Sequence, residues 1–133
     1  MTIRVRPDSP DPIYEQIAGQ VVFAVASGDL APGDLVPSVR DLAVQLTVNP
    51  NTVTRAFQEL ERLGVIEARR GLGMAVTPDA PQLCRNRRKE LIRERVRETV
   101  REAASAGLQP TDVHKLIDDE WPHAARNGSK SVR

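Results

Sequence analysis

The chain has 133 residues, 40% of them hydrophobic but only 3% aromatic, and a net charge of +1. Its core has to come mainly from Leu, Ile, Val and Ala, which favours packed helices over an aromatic-rich β-sandwich, and its longest apolar stretch, Val21 to Ala26, is far short of the ~20 residues that span a bilayer. Residues 1–78 set seven arginines against nine acids and residues 79–133 set twelve bases against nine, so affinity for an anionic partner depends on where a few arginines sit rather than on bulk charge.

Thr2 to Arg6 alternates polar and apolar residues and reads as a short strand or an ordered arm. Asp11 as a capping carboxylate and Pro12 at the first helical position open a helix over about 12–27. Ile13, Ile17, Val21, Ala24 and Val25 recur along it at helical spacing, and Gly28 ends it. Ala31-Pro32-Gly33-Asp34 is a turn. Ser38 caps a short second helix, with Asp41 three residues on as its capping-box partner; Val39, Leu42, Ala43 and Leu46 face inward. Asn49 and Pro50 start a third helix whose apolar face is Val53, Ala56, Phe57, Leu60 and Leu63. After Gly64, residues 65–69 read as a strand, 70–73 as a turn and 74–77 as a returning strand. Three helices followed by a hairpin is the element order of a winged helix-turn-helix.

Pro78, Ala80 and Pro81 mark a linker, and a long charged helix is expected over about 82–105. Its apolar positions include Leu91, Ile92, Val96 and Val100. Gly107 and Pro110 break it. Thr111 caps a last helix that places Val113, Leu116, Ile117 and Trp121 on one face, and residues from Pro122 onward read as a frayed tail. The expected fold is therefore mainly α: a winged helix-turn-helix domain over 1–78, a small two-helix region over 79–121 and a flexible tail over 122–133. The single cysteine, Cys84, excludes an internal disulfide. With no leader pattern at the N-terminus, the expected compartment is the reducing cytoplasm.

In a helix-turn-helix, a short supporting helix and a tight turn hold the next helix across the DNA major groove. Here the third helix is the candidate reader. Opposite its apolar stripe it carries Asn51, Thr52, Thr54, Arg55 and Gln58, short or hydrogen-bonding side chains that can reach base edges and phosphates. Its N-terminus also offers amide donors and a positive dipole to a phosphate. Arg40, on the outer side of the second helix, can reach the backbone or a guanine.

Several runs in fixed order carry a family resemblance: Pro12-Ile13-Tyr14-Glu15-Gln16-Ile17, Gly28-Asp29-Leu30-Ala31-Pro32-Gly33-Asp34, Pro37-Ser38-Val39-Arg40-Asp41-Leu42-Ala43, Val48-Asn49-Pro50-Asn51-Thr52-Val53 and Leu60-Glu61-Arg62-Leu63-Gly64-Val65-Ile66. Over about residues 10–77 the sequence resembles the GntR family of bacterial transcription regulators. The short helical C-terminal part and the Asn-Pro-Asn-Thr run resemble its YtrA-like branch. The resemblance implies DNA contacts from Ser38 and Arg40, from the third-helix positions Asn49, Asn51, Thr52 and Thr54 with Arg55 beside them, and from Arg70 and Gly71 at the wing tip. The family's usual wing, Gly-Lys-Gly-Thr-Phe-Val, is here Gly71-Leu72-Gly73-Met74-Ala75-Val76, so the wing lysine is missing. The branch pairs subunits through its C-terminal helices, which implies a homodimer built on Leu91, Ile92, Val96, Val100, Leu116, Ile117 and Trp121. The function implied is a dimeric, sequence-specific repressor on a palindromic operator in double-stranded DNA. Its genes would be its own or neighbouring ones, often for transport, and a small-molecule effector would control it.

Other readings stay open at this level. A winged helix used only for protein interaction would share the element order. An enzyme is not expected: about 55 residues after the linker cannot house a catalytic domain, and no nucleophile–base or carboxylate pair stands out. Arg40 could pair with Asp41 or Glu15, and Arg69 and Arg70 could be edge-strand charges. The basic run Arg85 to Lys89 fits either phosphate contacts or a solvated helix start. Cys84 reads as an inert or semi-exposed side chain. His114 and Asp118 stand four apart on one helical face near Glu120 and His123, but that spacing is common by chance. No metal, cofactor or membrane partner is expected.

Overall fold

The computed structural model describes residues 1–131, with side chains through Arg126. The element order is α1 (Ile13–Ser27), α2 (Val39–Leu46), α3 (Pro50–Arg62), β1 (Ile66–Arg69), β2 (Gly73–Val76), α4 (Ala80–Ser105) and α5 (Pro110–Ser131). This is the mainly helical fold expected, a winged helix-turn-helix followed by C-terminal helices. Two compact units are formed, Met1–Lys89 and Glu90–Arg133.

In the first unit α3 packs against both α1 and α2. Ile17, Val21, Val22 and Val25 of α1, Leu42 and Ala43 of α2, and Val53, Ala56, Phe57 and Leu60 of α3 are buried. Each large aliphatic side chain taken fully out of water contributes about 1.5–3 kcal/mol. The apolar stripes that predicted these helices are the faces that meet, although Leu63 is only half-buried. Gly28 closes α1 in the left-handed conformation, its N–H on the Val25 carbonyl. The start of α1 corrects the expected cap. Pro12 occupies the capping position and no side chain caps the helix; the Asp11 carbonyl instead accepts from Gln16 Nε2 at 2.9 Å.

The opening segment is an ordered arm rather than a strand. Gln20 and Gln16 of α1 grip its backbone: Arg4 N–H donates to Gln20 Oε1 at 2.9 Å and Arg6 N–H to Gln16 Oε1 at 2.8 Å. Each glutamine returns its Nε2 to the same residue's carbonyl, so the amides copy the paired bonds of a β-ladder.

The hairpin is antiparallel, with Ile66 opposite Val76 and Arg69 opposite Gly73. Residues 31–34 do more than turn. Gly33 N–H donates to the Val76 carbonyl at 2.8 Å, Val36 N–H to that of Met74 at 2.9 Å, and Leu35 bridges Ala75. This third pairing ties the α1–α2 connection to the wing. It is one bridge long, so no alternation announces it.

Three boundaries differ from expectation. First, α4 starts at Ala80, with Pro81 in its first turn, where a missing N–H costs nothing. Ala80 and Cys84 are fully buried and belong to the first unit, so the expected linker already holds a core residue at Ala80, between the exposed Pro78 and Asp79 and the half-buried Pro81. Cys84 is not semi-exposed, and burial pushes its thiol up to about 11. Second, Thr111 lies within the first turn of α5, and it is Asp112 that accepts the Gln109 N–H, at 2.8 Å. Third, α5 runs through Pro122 to Ser131, so the backbone of residues 122–131 is helical; residues 132 and 133 of the expected tail lie outside the described residues. Between α4 and α5, Gly107 takes a left-handed φ of 84°. Its N–H reaches the Ala104 carbonyl and Leu108 N–H that of Ala103, which closes α4 with a Schellman motif.

Candidate nucleic-acid interface

The turn between α2 and α3 sets the site. Thr47 closes α2 with φ 55° and ψ 49°, the only non-glycine residue at positive φ among the described residues. Thr47 N–H reaches the Val44 carbonyl at 3.3 Å and Val48 N–H that of Ala43 at 3.1 Å. The chain then enters α3 through Asn49 and Pro50.

Asn49 Oδ1 accepts the Asn51 N–H at 2.8 Å, so this side chain is committed as a cap and only its amide NH₂ is left to donate outward. The Asn49 carbonyl takes the Thr52 and Val53 N–H groups at 2.9 and 3.4 Å, and Pro50 has none. The expectation of free amides at the start of α3 is therefore overturned: its cap and first turn consume them. What the helix end still offers an anion is its dipole.

Asn51, Thr54, Arg55 and Gln58 are exposed on α3, opposite its buried stripe, and Thr52 is half-buried at its margin. Arg62, further along, makes a two-pronged bond to Glu59. That bond, more than the nearby charge, lowers the Glu59 carboxyl below its usual range and occupies Arg62. Arg55 is held differently: its guanidinium lies over the Tyr14 ring of α1, 3.9 Å from the centroid. Helical spacing and the family resemblance do not single out Tyr14. Its signal was an aromatic residue off the α1 stripe in a chain with few aromatics.

Ser38 Oγ accepts the Asp41 N–H at 3.0 Å, which leaves the hydroxyl hydrogen to point outward. Arg40 is exposed and its side chain makes no hydrogen bond or ion pair among the described residues, so neither Asp41 nor Glu15 occupies it. Arg70 and Gly71 form the exposed hairpin turn, with Leu72 N–H on the Arg69 carbonyl at 2.9 Å. Gly71 has φ 76° and Gly73 φ 116°, conformations that suit glycine. Arg69 lies 4.0 Å from Glu67. All the DNA-facing candidates thus belong to the first unit, and the pairing candidates to the second. Of the latter, Leu91 is half-buried and the other six are exposed. Among the described residues no group of three or more His, Cys, Asp or Glu side chains could hold a metal ion, and no helix is long and apolar enough to cross a membrane.

Residues 13–76 match the model of the gntR family of bacterial regulatory proteins. The chain is 38% identical over 117 residues to the HTH-type transcriptional repressor YtrA of Bacillus subtilis, covering 88% of this chain and 90% of that one. A crystal structure of a transcriptional antiterminator from Listeria monocytogenes EGD-e is similar with TM-score 0.68 and 33% identity, over 90% of this chain and 89% of that one. A GntR family transcriptional regulator from Listeria monocytogenes is similar with TM-score 0.67 and 30% identity, over 84% and 97%.

Proposed function

This chain belongs to the GntR family of bacterial regulatory proteins and is a DNA-binding transcription regulator; on that premise we propose that it acts in the cytoplasm as a homodimeric repressor whose two α3 helices enter the major groove of a palindromic operator. The observation that carries the reading is the division of α3. Val53, Ala56, Phe57 and Leu60 anchor one side while Asn51, Thr54, Arg55 and Gln58 are exposed on the other. A helix fixed by its apolar face and bearing amides and hydroxyls outward matches the donor and acceptor pattern of base edges, and the guanidinium at its flank suits a backbone phosphate.

Arg40 and Arg70 flank this face from α2 and the wing and supply charge against phosphates. The exposed apolar side chains of α4 and α5 pair two subunits. Two-fold symmetry then sets the reading helices about one turn of DNA apart, or a multiple of it. A dimer seated over a promoter represses by excluding polymerase, and a small-molecule signal that changes the spacing of the two α3 helices releases it.

The test is in-vitro selection of duplexes with the purified protein, followed by affinity as a function of salt. Binding to the selected duplex should weaken steeply as salt rises. Arg40→Ala should cost about 1–3 kcal/mol of affinity, the value of one good arginine contact, with unfolding unchanged. Salt-independent binding, or an Arg40→Ala protein that binds like the wild type, contradicts the reading.

A further inference from the structure

We propose that Tyr14 of α1 is a positioning residue for DNA binding. Its ring holds the Arg55 guanidinium at the side of the reading helix, with its N–H donors free for a backbone phosphate. This rests on the reading of α3 as the DNA-facing helix and adds a residue to it from a different element.

The two arginines of α3 are restrained in different ways. Glu59 takes Arg62 in a two-pronged bond through Nε and Nη2, which ties up that edge of the guanidinium and sets a carboxylate against its charge. Tyr14 restrains Arg55 through the face of a neutral ring, 3.9 Å from guanidinium carbon to centroid. Stacking uses the π face of the guanidinium and leaves the in-plane N–H groups at its rim. The Arg55 side chain makes no hydrogen bond or ion pair among the described residues, so charge and donors are both preserved.

The ring is a fixed support. Tyr14 is half-buried in the first turn of α1 and α1 packs directly on α3, whereas its hydroxyl reaches only the neighbouring Glu15 Oε1, at 3.2 Å, and is not what holds the ring. A long side chain normally loses much rotamer freedom when it binds; one already held gives up less. The stack also sets direction. Arg55 projects from the outward face of α3, beside Asn51 and Gln58, but leans toward α1 and so away from the line that leads straight to base edges. A side chain drawn to the flank of a helix lying in the major groove meets the groove wall, where the phosphates are.

The test compares Tyr14→Phe, Tyr14→Leu, Arg55→Ala and the double variant Tyr14→Leu/Arg55→Ala. Each is titrated with the selected duplex and with a mixed-sequence duplex of equal length at several salt concentrations. Tyr14→Leu should weaken both duplexes alike, by about three- to five-fold. Tyr14→Phe, which keeps the ring, should bind like the wild type. Arg55→Ala should lower the salt slope by about one, and the double variant should be no weaker than Arg55→Ala alone. Loss in Tyr14→Phe equal to that in Tyr14→Leu, additive losses in the double variant, or a loss confined to the selected duplex would each overturn the proposal.

An NMR measurement without DNA keeps it testable should Tyr14→Leu fail to fold. The Arg55 δ-protons should be ring-shifted upfield in the wild type and in Tyr14→Phe; unshifted signals overturn the proposal. An Asn51→Ala protein with undiminished affinity for the selected duplex would instead count against α3 as the reader, and it would leave the ring shift in place.

Discussion

Leu60 and Ile117 are both aliphatic residues within amphipathic helices, yet Leu60 has no exposed surface and Ile117 keeps 50% of its own. The contrast extends to their units. Met1–Lys89 assembles a core from α1, α2, α3, the hairpin and the first turns of α4, down to Ala80 and Cys84. From Glu90 to Arg126 no residue is buried, and Ile92, Val96, Val100, Leu116 and Trp121 all stand about half-exposed or more. An apolar stripe says that a helix has a partner without saying whose. In the first unit the partner is the same chain; in the second, the apolar surface is larger than a solitary pair of helices conceals, and a second copy is the occupant proposed here.

The comparison breaks most sharply at Leu60. Leu60→Ala should cost about 2–5 kcal/mol of stability, since it opens a cavity among Val53, Phe57 and their neighbours. The loss, read by denaturant unfolding of the first unit, should not depend on protein concentration. Ile117→Asp should do the reverse. It leaves the unfolding of the first unit unchanged but yields monomers in sedimentation, and it weakens operator binding by about a hundred-fold as two linked reading heads become one. A dimeric Ile117→Asp protein would remove α5 from the pairing surface. The smallest effect lies at the turn between α2 and α3. Thr47 carries a β-branched side chain in the left-handed region, a strain of about 1–2 kcal/mol. Thr47→Gly should raise the stability of the first unit by about 0.5–1 kcal/mol once the extra freedom of unfolded glycine is deducted, and unchanged stability would show that the strain is relieved elsewhere.

Much of this was readable from residue order. The stripes of α1 and α3, the Ser38 and Asn49 caps and the glycine stops depend on neighbours within one or two turns, and local patterns report such features well. What escaped depends on contacts across the chain. The Leu35–Ala75 bridge is a single residue in a Pro- and Gly-rich segment. Ala80 reads as linker and Cys84 as the start of a charged helix until the core beneath them is seen. Pro122 signals a stop that α5 does not obey. For the candidate site, Arg40, Asn51, Thr54 and Arg55 were named from spacing and resemblance and all prove exposed. The amides of α3, expected free, are consumed by Asn49, because the residue that opens the helix also caps it. Tyr14 carries only a faint sequence signal, an aromatic off the α1 stripe, since its role depends on how α1 crosses α3.

The central claim, that the outward face of α3 reads bases, is tested most directly by repeating the in-vitro selection with Asn51→Ala beside the wild type. The account expects the recovered motif to lose its preference at one or two positions in each half-site while the remaining positions and the half-site spacing persist. An identical motif from the two proteins would contradict it.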